Sequence, residues 1–326
     1  MPREALIGVG AGLASAVASL SFASGVPFAL MLVYLAPMPL MMAGLAFGTR
    51  ITVIGAGAGI LTTGLAGGLS SMLIFGLVHA IPALLIVYLA LLSREDIVTQ
   101  RGNSSIAWYP LGHIPAHLSL LSGALLVITA VILTNPGMSI LISTHLGEAF
   151  EMMAPHLPEQ GRQRFADMLT PLFPGAVAAS WVIMTVANGV IAQSLVVRME
   201  KNLRPRPKYS AVDLPQWLSW PLVIAAVVAL AGTGEWEYVG RNTAMVIATP
   251  YFLLGLAVVH SLAKRVTYTG SLLVVFYLVI VASLWATLVV AGIGVVEQCL
   301  SPLALATIRR YITEAPNWHT NLHGGT

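Results

Sequence analysis

The sequence places a few ionisable side chains inside long apolar stretches, and these are its best candidates for chemistry. His79 lies within residues 51–92, which contain no Lys, Arg, Asp or Glu, and Glu297 directly follows the uncharged stretch 271–296. An ionisable group is costly in lipid, so it usually faces a cavity or a partner. We therefore predict that both side chains line a cavity. The alternatives are a His79 bonded to a neighbouring carbonyl and a Glu297 at the membrane interface.

Two prolines could add backbone groups to such a cavity. Pro37 and Pro39 lie in or near the end of another apolar stretch. Proline has no N–H and bends or breaks a helix, which leaves carbonyl oxygens free. In transporters such breaks often line the substrate site, whereas the alternative is a kink needed only for packing. The candidate cavity or substrate-binding residues are therefore Pro37, Pro39, His79 and Glu297.

Patterns typical of catalysis are missing from the sequence. It has no Gly-x-Ser-x-Gly elbow, no His-Glu-x-x-His and no paired acids within an apolar stretch. The run from Gly55 to Gly59 lacks the third glycine of a dinucleotide site and the Lys of a phosphate loop. His113 and His117 are four residues apart but have no Cys or carboxylate nearby. We predict no catalytic residues, no metal site and no cofactor, and we expect that the protein is not an enzyme.

The elements that would position these residues are predicted by composition. The 326 residues are 57% hydrophobic and only 9% charged, with a mean hydropathy of +0.85, whereas a soluble domain carries about 25% charged residues. Backbone polar groups in lipid need internal partners, and a span needs about 20 apolar residues. We predict an all-α, polytopic transmembrane helical bundle with about nine to ten spans. The lipid bilayer is its expected partner. The basic residues flank the apolar stretches, so nucleic acid is not expected.

The predicted spans follow the apolar stretches. They cover residues 5–23, 26–47, 51–69, 70–92, 118–134, 174–197, 217–231 and 243–262. A last region, 270–308, is either one long helix ending near Glu297 or a tight pair that breaks around residues 286–292. The distribution of Lys and Arg predicts a cytoplasmic N terminus in a bacterial inner membrane.

The chain is expected to divide into six parts. Residues 135–173 form an external loop, where apolar residues at helical spacing predict two short amphipathic helices that lie on the membrane or cap the bundle. The parts are a Gly/Ala-rich helical region 1–93, a cytoplasmic loop 94–117, a pair of spans with this loop 118–200, a basic linker 201–216, C-terminal helices 217–310 and a polar tail 311–326.

Small residues recur four apart in the N-terminal region. Such repeats let two helices approach closely, because no Cβ keeps the backbones apart. We predict that they pack helices together or dock a partner. The pairs are Gly8/Gly12, Ala14/Ala18, Gly44/Gly48, Gly55/Gly59 and Gly64/Gly68.

Three stretches resemble a known family. They are residues 34–40 (Tyr-Leu-Ala-Pro-Met-Pro-Leu), residues 214–221 (Leu-Pro-Gln-Trp-Leu-Ser-Trp-Pro) and residues 251–260, which end in Val-Val-His. Their order and spacing resemble the YybS-like family of predicted bacterial membrane proteins. That family is in turn similar to the S components of energy-coupling-factor transporters, which capture vitamins or metals. The resemblance implies a membrane-embedded T subunit and two ATPases as partners, contacted through Ala14 and Ala18 together with Gly8 and Gly12.

Three functions stay open at this point, although the third, a lipid-modifying enzyme, would need acid/base groups within the spans that the sequence does not supply. The first is a substrate-binding transport component that holds a small molecule between its helices. The second is a non-transporting scaffold or assembly factor, which would hold partners through the external helices and the basic linker.

Overall fold

The computed structural model describes residues 2–24, 28–97, 104–206 and 213–314, and it is a helical bundle. The thirteen helices of this described part confirm the predicted all-α, polytopic fold. They are α1 (Pro2–Leu20), α2 (Ala29–Leu35), α3 (Met38–Phe47), α4 (Thr49–Phe75), α5 (Ile81–Leu91), α6 (His113–Ile132), α7 (Met138–Met153), α8 (Glu159–Leu169), α9 (Phe173–Arg198), α10 (Ser219–Ala231), α11 (Glu235–Ala263), α12 (Thr269–Ala282) and α13 (Leu284–Glu314).

The chain separates into two compact units, Met1–Pro250 and Tyr251–Thr326. The first unit has a core of buried apolar side chains from α1, α3, α4, α5, α6 and α9. Large side chains such as Leu40, Phe75 and Leu118 are fully buried there. Burial of apolar side chains in this unit is therefore concentrated where the glycine-rich N-terminal helices meet α9.

Glycine permits the closest helix contact of this unit, between α1 and α4. A Cβ added to Gly8 would lie 2.8 Å from the Ile51 carbonyl oxygen, and one added to Gly12 would overlap the Gly55 carbonyl. A Cβ on Gly59 would lie 2.5 Å from the Phe75 ring. These glycines pack helices within the chain. Along this contact, higher residue numbers in α1 lie against higher residue numbers in α4, so the two helices are parallel.

The other two glycine pairs have different roles. Gly44 lies against Thr52 and Val87, but Gly48 has φ +96° and ends α3 with open space around its Cα. Gly64 faces Met72 of its own helix, whereas Gly68 has φ +75° and interrupts α4. A positive φ is costly for a residue with a Cβ, so glycine is required at these two positions for the turn rather than for packing.

The chain reverses direction at Gly68. Gly59 before it contacts Phe75 after it, and Gly64 likewise contacts Met72. Residues 49–67 and 69–91 are therefore antiparallel, and the break lies within two residues of the predicted boundary between residues 69 and 70. Six described helical segments are long and apolar enough to span a membrane, or seven if the bent pair α12–α13 is one span. That count treats Thr49–Leu91 as one segment, so the number nine to ten stays a prediction.

One end of the first unit carries a small sheet that was predicted as a loop. Within residues 94–117, β1 (Ser93–Ile97) and β2 (Ser104–Trp108) pair antiparallel. Residues 98–103 lie outside the described part. The buried guanidinium of Arg204 donates to the carbonyls of Ala90 and Tyr109, each at 3.0 Å. We call this the hairpin end.

The opposite end is formed by α7 and α8, which confirm the two predicted helices of residues 135–173. They are linked by the rings of Phe150 and Phe165, whose centroids are 6.0 Å apart. Side chains of α11 hold this region: Glu235 accepts from the backbone and the hydroxyl of Ser139, and the Tyr238 hydroxyl donates to the Thr170 carbonyl. We call this the cap end.

In the second unit, α12 and α13 are bent by 114° after Ala282. A break in this region was one of the two predicted alternatives, although it comes a few residues earlier than residues 286–292. Gly255 lies against the backbone of Val290, and Gly294 lies against that of Tyr251. The first four residues of the predicted polar tail continue α13, and residues 315–326 lie outside the described part.

Candidate functional site: a polar seam along helix α9

Polar side chains form a stripe along one face of α9. Trp181, Thr185 and Asn188 follow each other at spacings of four and three residues, so they lie on the same side of the helix. Thr185 and Asn188 are fully buried, on a helix that also contributes Val182, Ala192 and Val196 to the apolar core. Buried polar groups normally have partners, and the partners of this stripe therefore show its role.

The first partner is the π-helical turn between α4 and α5. Residues Gly76–Ala80 form a single π-helical turn, and Pro82 follows it. Pro82 has no N–H to donate to the Val78 carbonyl four residues earlier. The indole Nε1 of Trp181 donates to that carbonyl at 3.0 Å and replaces the missing donor.

The second partner is the break between α2 and α3. Pro37 and Pro39 lie at the start of α3, where the helix is interrupted after Leu35. The Asn188 amide donates to the Tyr34 carbonyl at 2.7 Å, and the Ser15 hydroxyl of α1 donates to the Ala36 carbonyl. Side chains of α1 and α9 therefore satisfy carbonyls that the break leaves free. The two prolines break the helix as predicted, and packing accounts for part of their role.

After these bonds are made, three buried polar atoms of α9 and of the π-helical turn are left over. The His79 Nδ1, the Thr185 Oγ1 and the Asn188 Oδ1 have no hydrogen-bond partner within the described residues. Several other helical hydroxyls donate to the carbonyl four residues earlier, as Thr63 does to Gly59 and Ser119 does to Pro115. The buried hydroxyls of Thr52 and Thr243, like that of Thr185, have no partner within the described part. Thr185 makes no such bond, so its hydroxyl is available to another group.

The register of α5 and α9 places these atoms in order. Trp181 contacts Val78, and a Cβ added to Gly189 would lie 3.3 Å from the Ile86 side chain. The two residues of each contact are separated by the same number of positions in the sequence. The helices are therefore parallel, and His79 lies level with residue 182. At 1.5 Å per residue, Thr185 is about 4.5 Å and Asn188 about 9 Å further along the axis.

We call His79, Thr185 and Asn188 the polar seam. Along the helix axis it lies between the two proline breaks, and the ring of Phe75 lies beside His79, with the two ring centroids 5.7 Å apart. Leaving a buried donor or acceptor unpaired costs about 1–3 kcal/mol. A small molecule or ordered water that supplied the missing hydrogen bonds would therefore be stabilised here.

The structure brings some predicted residues together and separates others. Pro37, Pro39 and His79 lie in the first unit, and the two breaks that they mark are both bonded to α9. Glu297 is exposed on α13 and belongs to the second unit. Its role in a cavity stays a prediction.

The paired histidines have other partners. The His117 Nδ1 donates to the His113 carbonyl at 2.6 Å, and the Tyr109 hydroxyl lies 3.3 Å from the His113 Nδ1. The Trp217 ring packs edge-on against His117. Within the described residues, no three His, Cys, Asp or Glu side chains come close enough to hold a metal ion.

Sequence reasoning missed Thr185 and Trp181, and Asn188 was not among its candidate cavity residues. Two signals could have found them. The first is the polar stripe at spacings of four and three residues within an apolar helix. The second is a tryptophan in the middle of a span, because indole rings in membrane proteins prefer the interfaces and a central one needs a hydrogen-bond partner.

The chain was also compared with known proteins. A family model described as a predicted membrane protein (DUF2232) matches residues 13–297, which include the polar seam and the three stretches with the family-like pattern. No curated protein and no solved structure matches the chain significantly.

Proposed function

The chain belongs to the family of predicted membrane proteins (DUF2232), and on that premise we propose that it is the substrate-binding component of a membrane transporter. A small molecule would bind at the polar seam, between α3, α5 and α9. The observation that carries the proposal is the set of three buried polar atoms without partners at His79, Thr185 and Asn188. Transporters often place their substrates between interrupted helices near the middle of the membrane.

The similarity to S components of energy-coupling-factor transporters is part of this proposal. Gly8 and Gly12 are buried against α4, so they are not available to a T subunit. Ala14 is exposed on α1 and Ala18 is half-buried, and these two small residues leave a surface that a second membrane protein could approach closely. The proposal assigns the chain no catalytic step, because ATP hydrolysis would be performed by the two partner ATPases.

The proposal also includes a location in a bacterial inner membrane, with the N terminus and the hairpin end in the cytoplasm. Lys201 and Arg206 are exposed beside the hairpin end, which supports this orientation. The cap end would then face outwards.

Aqueous access to the seam is the first test. Cys299 is exposed and is first replaced by serine, and Thr185→Cys is then introduced. Water-soluble methanethiosulfonates react with thiolates, which form only where water reaches. We expect Thr185→Cys to react at least tenfold faster than the lipid-facing control Ile191→Cys on the same helix. Equal rates at the two positions would exclude a binding site at the seam.

Partners are tested by purifying the tagged protein from its native membrane in mild detergent and identifying the recovered proteins by mass spectrometry. We expect a T-type membrane subunit with two ATPases. The double variant Ala14→Leu/Ala18→Leu should lose them, whereas Leu6→Phe, which changes a lipid-facing residue of the same helix, should retain them. Recovery of the chain alone from wild-type membranes would count against ATP-coupled uptake.

A scaffold is the second candidate function, and one observation favours it. The cap end exposes three methionines, Met152, Met153 and Met168, each at least 68% accessible. Flexible, exposed methionines are common at protein-binding surfaces. By contrast, Arg204 of the basic linker is buried, and residues 207–212 of that linker lie outside the described part. If the protein is a scaffold, changing the three methionines to glutamine should release envelope proteins, and the Ala14/Ala18 variant should not.

A further inference from the structure

We propose that the polar seam selects an uncharged small molecule that donates hydrogen bonds, such as one with hydroxyl, amide or ring N–H groups. This inference rests on the proposed function, because it names the chemical class of the substrate at the same site. It follows from which atoms at Asn188, Thr185 and His79 are already used and which are left over.

Asn188 offers an acceptor and no free donor. Its amide nitrogen donates to the Tyr34 carbonyl at 2.7 Å and to the Met184 carbonyl at 3.1 Å. Both N–H groups are therefore used. Exchanging the amide oxygen and nitrogen would place oxygen against two carbonyl oxygens, so the orientation is determined by its neighbours. The remaining Oδ1 is buried without a partner, and it requires a donor from the ligand.

The other two groups are compatible with the same ligand. A threonine hydroxyl both donates and accepts, and an imidazole Nδ1 does either according to its tautomer. Thr185 and His79 can therefore accept a second N–H or O–H of the ligand or donate to its carbonyl. The Asn188 oxygen can only accept, so the ligand must supply at least one hydrogen-bond donor. Thr185 and His79 can each pair with either a donor or an acceptor of the ligand.

The distribution of buried charge around the seam is unfavourable for a charged ligand. Among the described residues of the first unit, Arg204 is the one buried side chain with a permanent charge, and no carboxylate is buried there. The Arg204 guanidinium is held by the Ala90 and Tyr109 carbonyls at the hairpin end. A charged ligand at the seam would thus be buried without a permanent opposite charge, which is unfavourable. The fully buried ring of Phe75 beside His79 also suits an uncharged ligand.

The test uses three thiol reagents of equal length with different charges. They are 2-hydroxyethyl, 2-aminoethyl and 2-sulfonatoethyl methanethiosulfonate, which are neutral, cationic and anionic. Each is reacted with full-length Thr185→Cys in the Cys299→Ser background. Rates are divided by those of Gln160→Cys, an exposed position at the cap end, to remove differences in intrinsic reactivity. Val182→Cys, level with His79, is examined in parallel because it changes the side-chain volume little.

We expect the normalised rate of the neutral reagent to exceed those of both charged reagents at least tenfold at both positions. A cationic or anionic rate equal to the neutral one would overturn the proposed ligand class while leaving the seam as a binding site. If none of the three reagents reacts faster than it does at the lipid-facing Ile191→Cys, the seam is closed to solutes and the proposed function fails with it. The two failures are therefore distinguishable.

Discussion

The bond between Trp181 and the Val78 carbonyl exists because Pro82 cannot supply the usual donor, and a double-mutant cycle tests this explanation. In the native protein the indole donates at 3.0 Å. Trp181→Phe removes the donor and leaves the carbonyl unpaired. Pro82→Ala restores an amide N–H four residues after Val78, where a helical bond can form. The two changes should therefore not be additive, because the second repairs what the first breaks.

The magnitude follows from the groups involved. Trp181→Phe should cost about 1–3 kcal/mol for the unpaired carbonyl, together with a packing loss from the smaller ring. In the Pro82→Ala background the carbonyl has its own helical donor, so only the packing loss remains. Hydrogen bonds between membrane helices average about 0.6 kcal/mol in such cycles and reach about 1.7. We expect a coupling free energy of about 1 kcal/mol, with Trp181→Phe less harmful in the Pro82→Ala background.

The assay is equilibrium unfolding in mixed detergent micelles, followed by the loss of helical circular dichroism. Four proteins are compared: the native protein, the two single variants and the double variant. Trp220→Phe, a change at a residue that is 71% exposed, serves as the control and should show no coupling to Pro82. If the destabilisation of the double variant equals the sum of the two single-variant values within about 0.3 kcal/mol, the indole does not replace the donor missing at Pro82.

Three further predictions follow from contacts in the first unit. Each is measured by thermal unfolding of the purified protein, and the third is measured by amide hydrogen exchange as well. Gly12→Ala should destabilise the protein by about 1–3 kcal/mol because its Cβ would overlap the backbone of α4, whereas Gly10→Ala, which has open space, should be neutral or stabilising by up to about 1 kcal/mol. Arg204→Met should cost about 1.5–3 kcal/mol through loss of two charge-assisted bonds, while the exposed Arg206→Met should stay within about 0.5. Asn242→Ala should cost about 1–2 kcal/mol and speed amide exchange at the start of α9, which its Oδ1 caps. Equal stability of the two glycine variants, or of the two arginine variants, would contradict the contacts assigned to Gly12 or Arg204. Unchanged amide exchange at the start of α9 would contradict the cap assigned to Asn242.

Hydropathy predicted the elements well because the membrane imposes one simple requirement. Each crossing needs a long apolar helix, so the continuous stretches predicted the helices, and glycine composition predicted the close packing of Gly8 and Gly12. The reversal at Gly68 was located to within two residues. The β1–β2 hairpin was missed because its strands are short and carry polar and charged residues, and in such a segment hydropathy does not distinguish a strand from a loop.

Contacts between distant segments could not be predicted from one sequence. The Trp181–Val78 bond joins residues more than a hundred positions apart, and no local pattern links them. In the second unit, Gly255 and Gly294 pack against backbone without forming a repeat of the Gly-x-x-x-Gly kind, so the pattern used for the N-terminal helices does not reveal them. The candidate site was located only in part for the same reason: prolines mark a break, but not the side chain that satisfies it.

The same side chains of α9 serve both the fold and the proposed site, and the distinction lies between atoms rather than between residues. The Asn188 nitrogen holds the break before Pro37, while its oxygen is left without a partner. A side chain that served only to satisfy a carbonyl would not need that oxygen. The Ser15 hydroxyl, for example, donates to the neighbouring Ala36 carbonyl and leaves no second polar group buried. An amide at this position stabilises the interrupted helix and still presents one acceptor to the interior. Packing alone would explain the two helix breaks. It would not explain the remaining acceptor of Asn188 together with Thr185 and His79, and these groups are the reason to expect a ligand between the breaks.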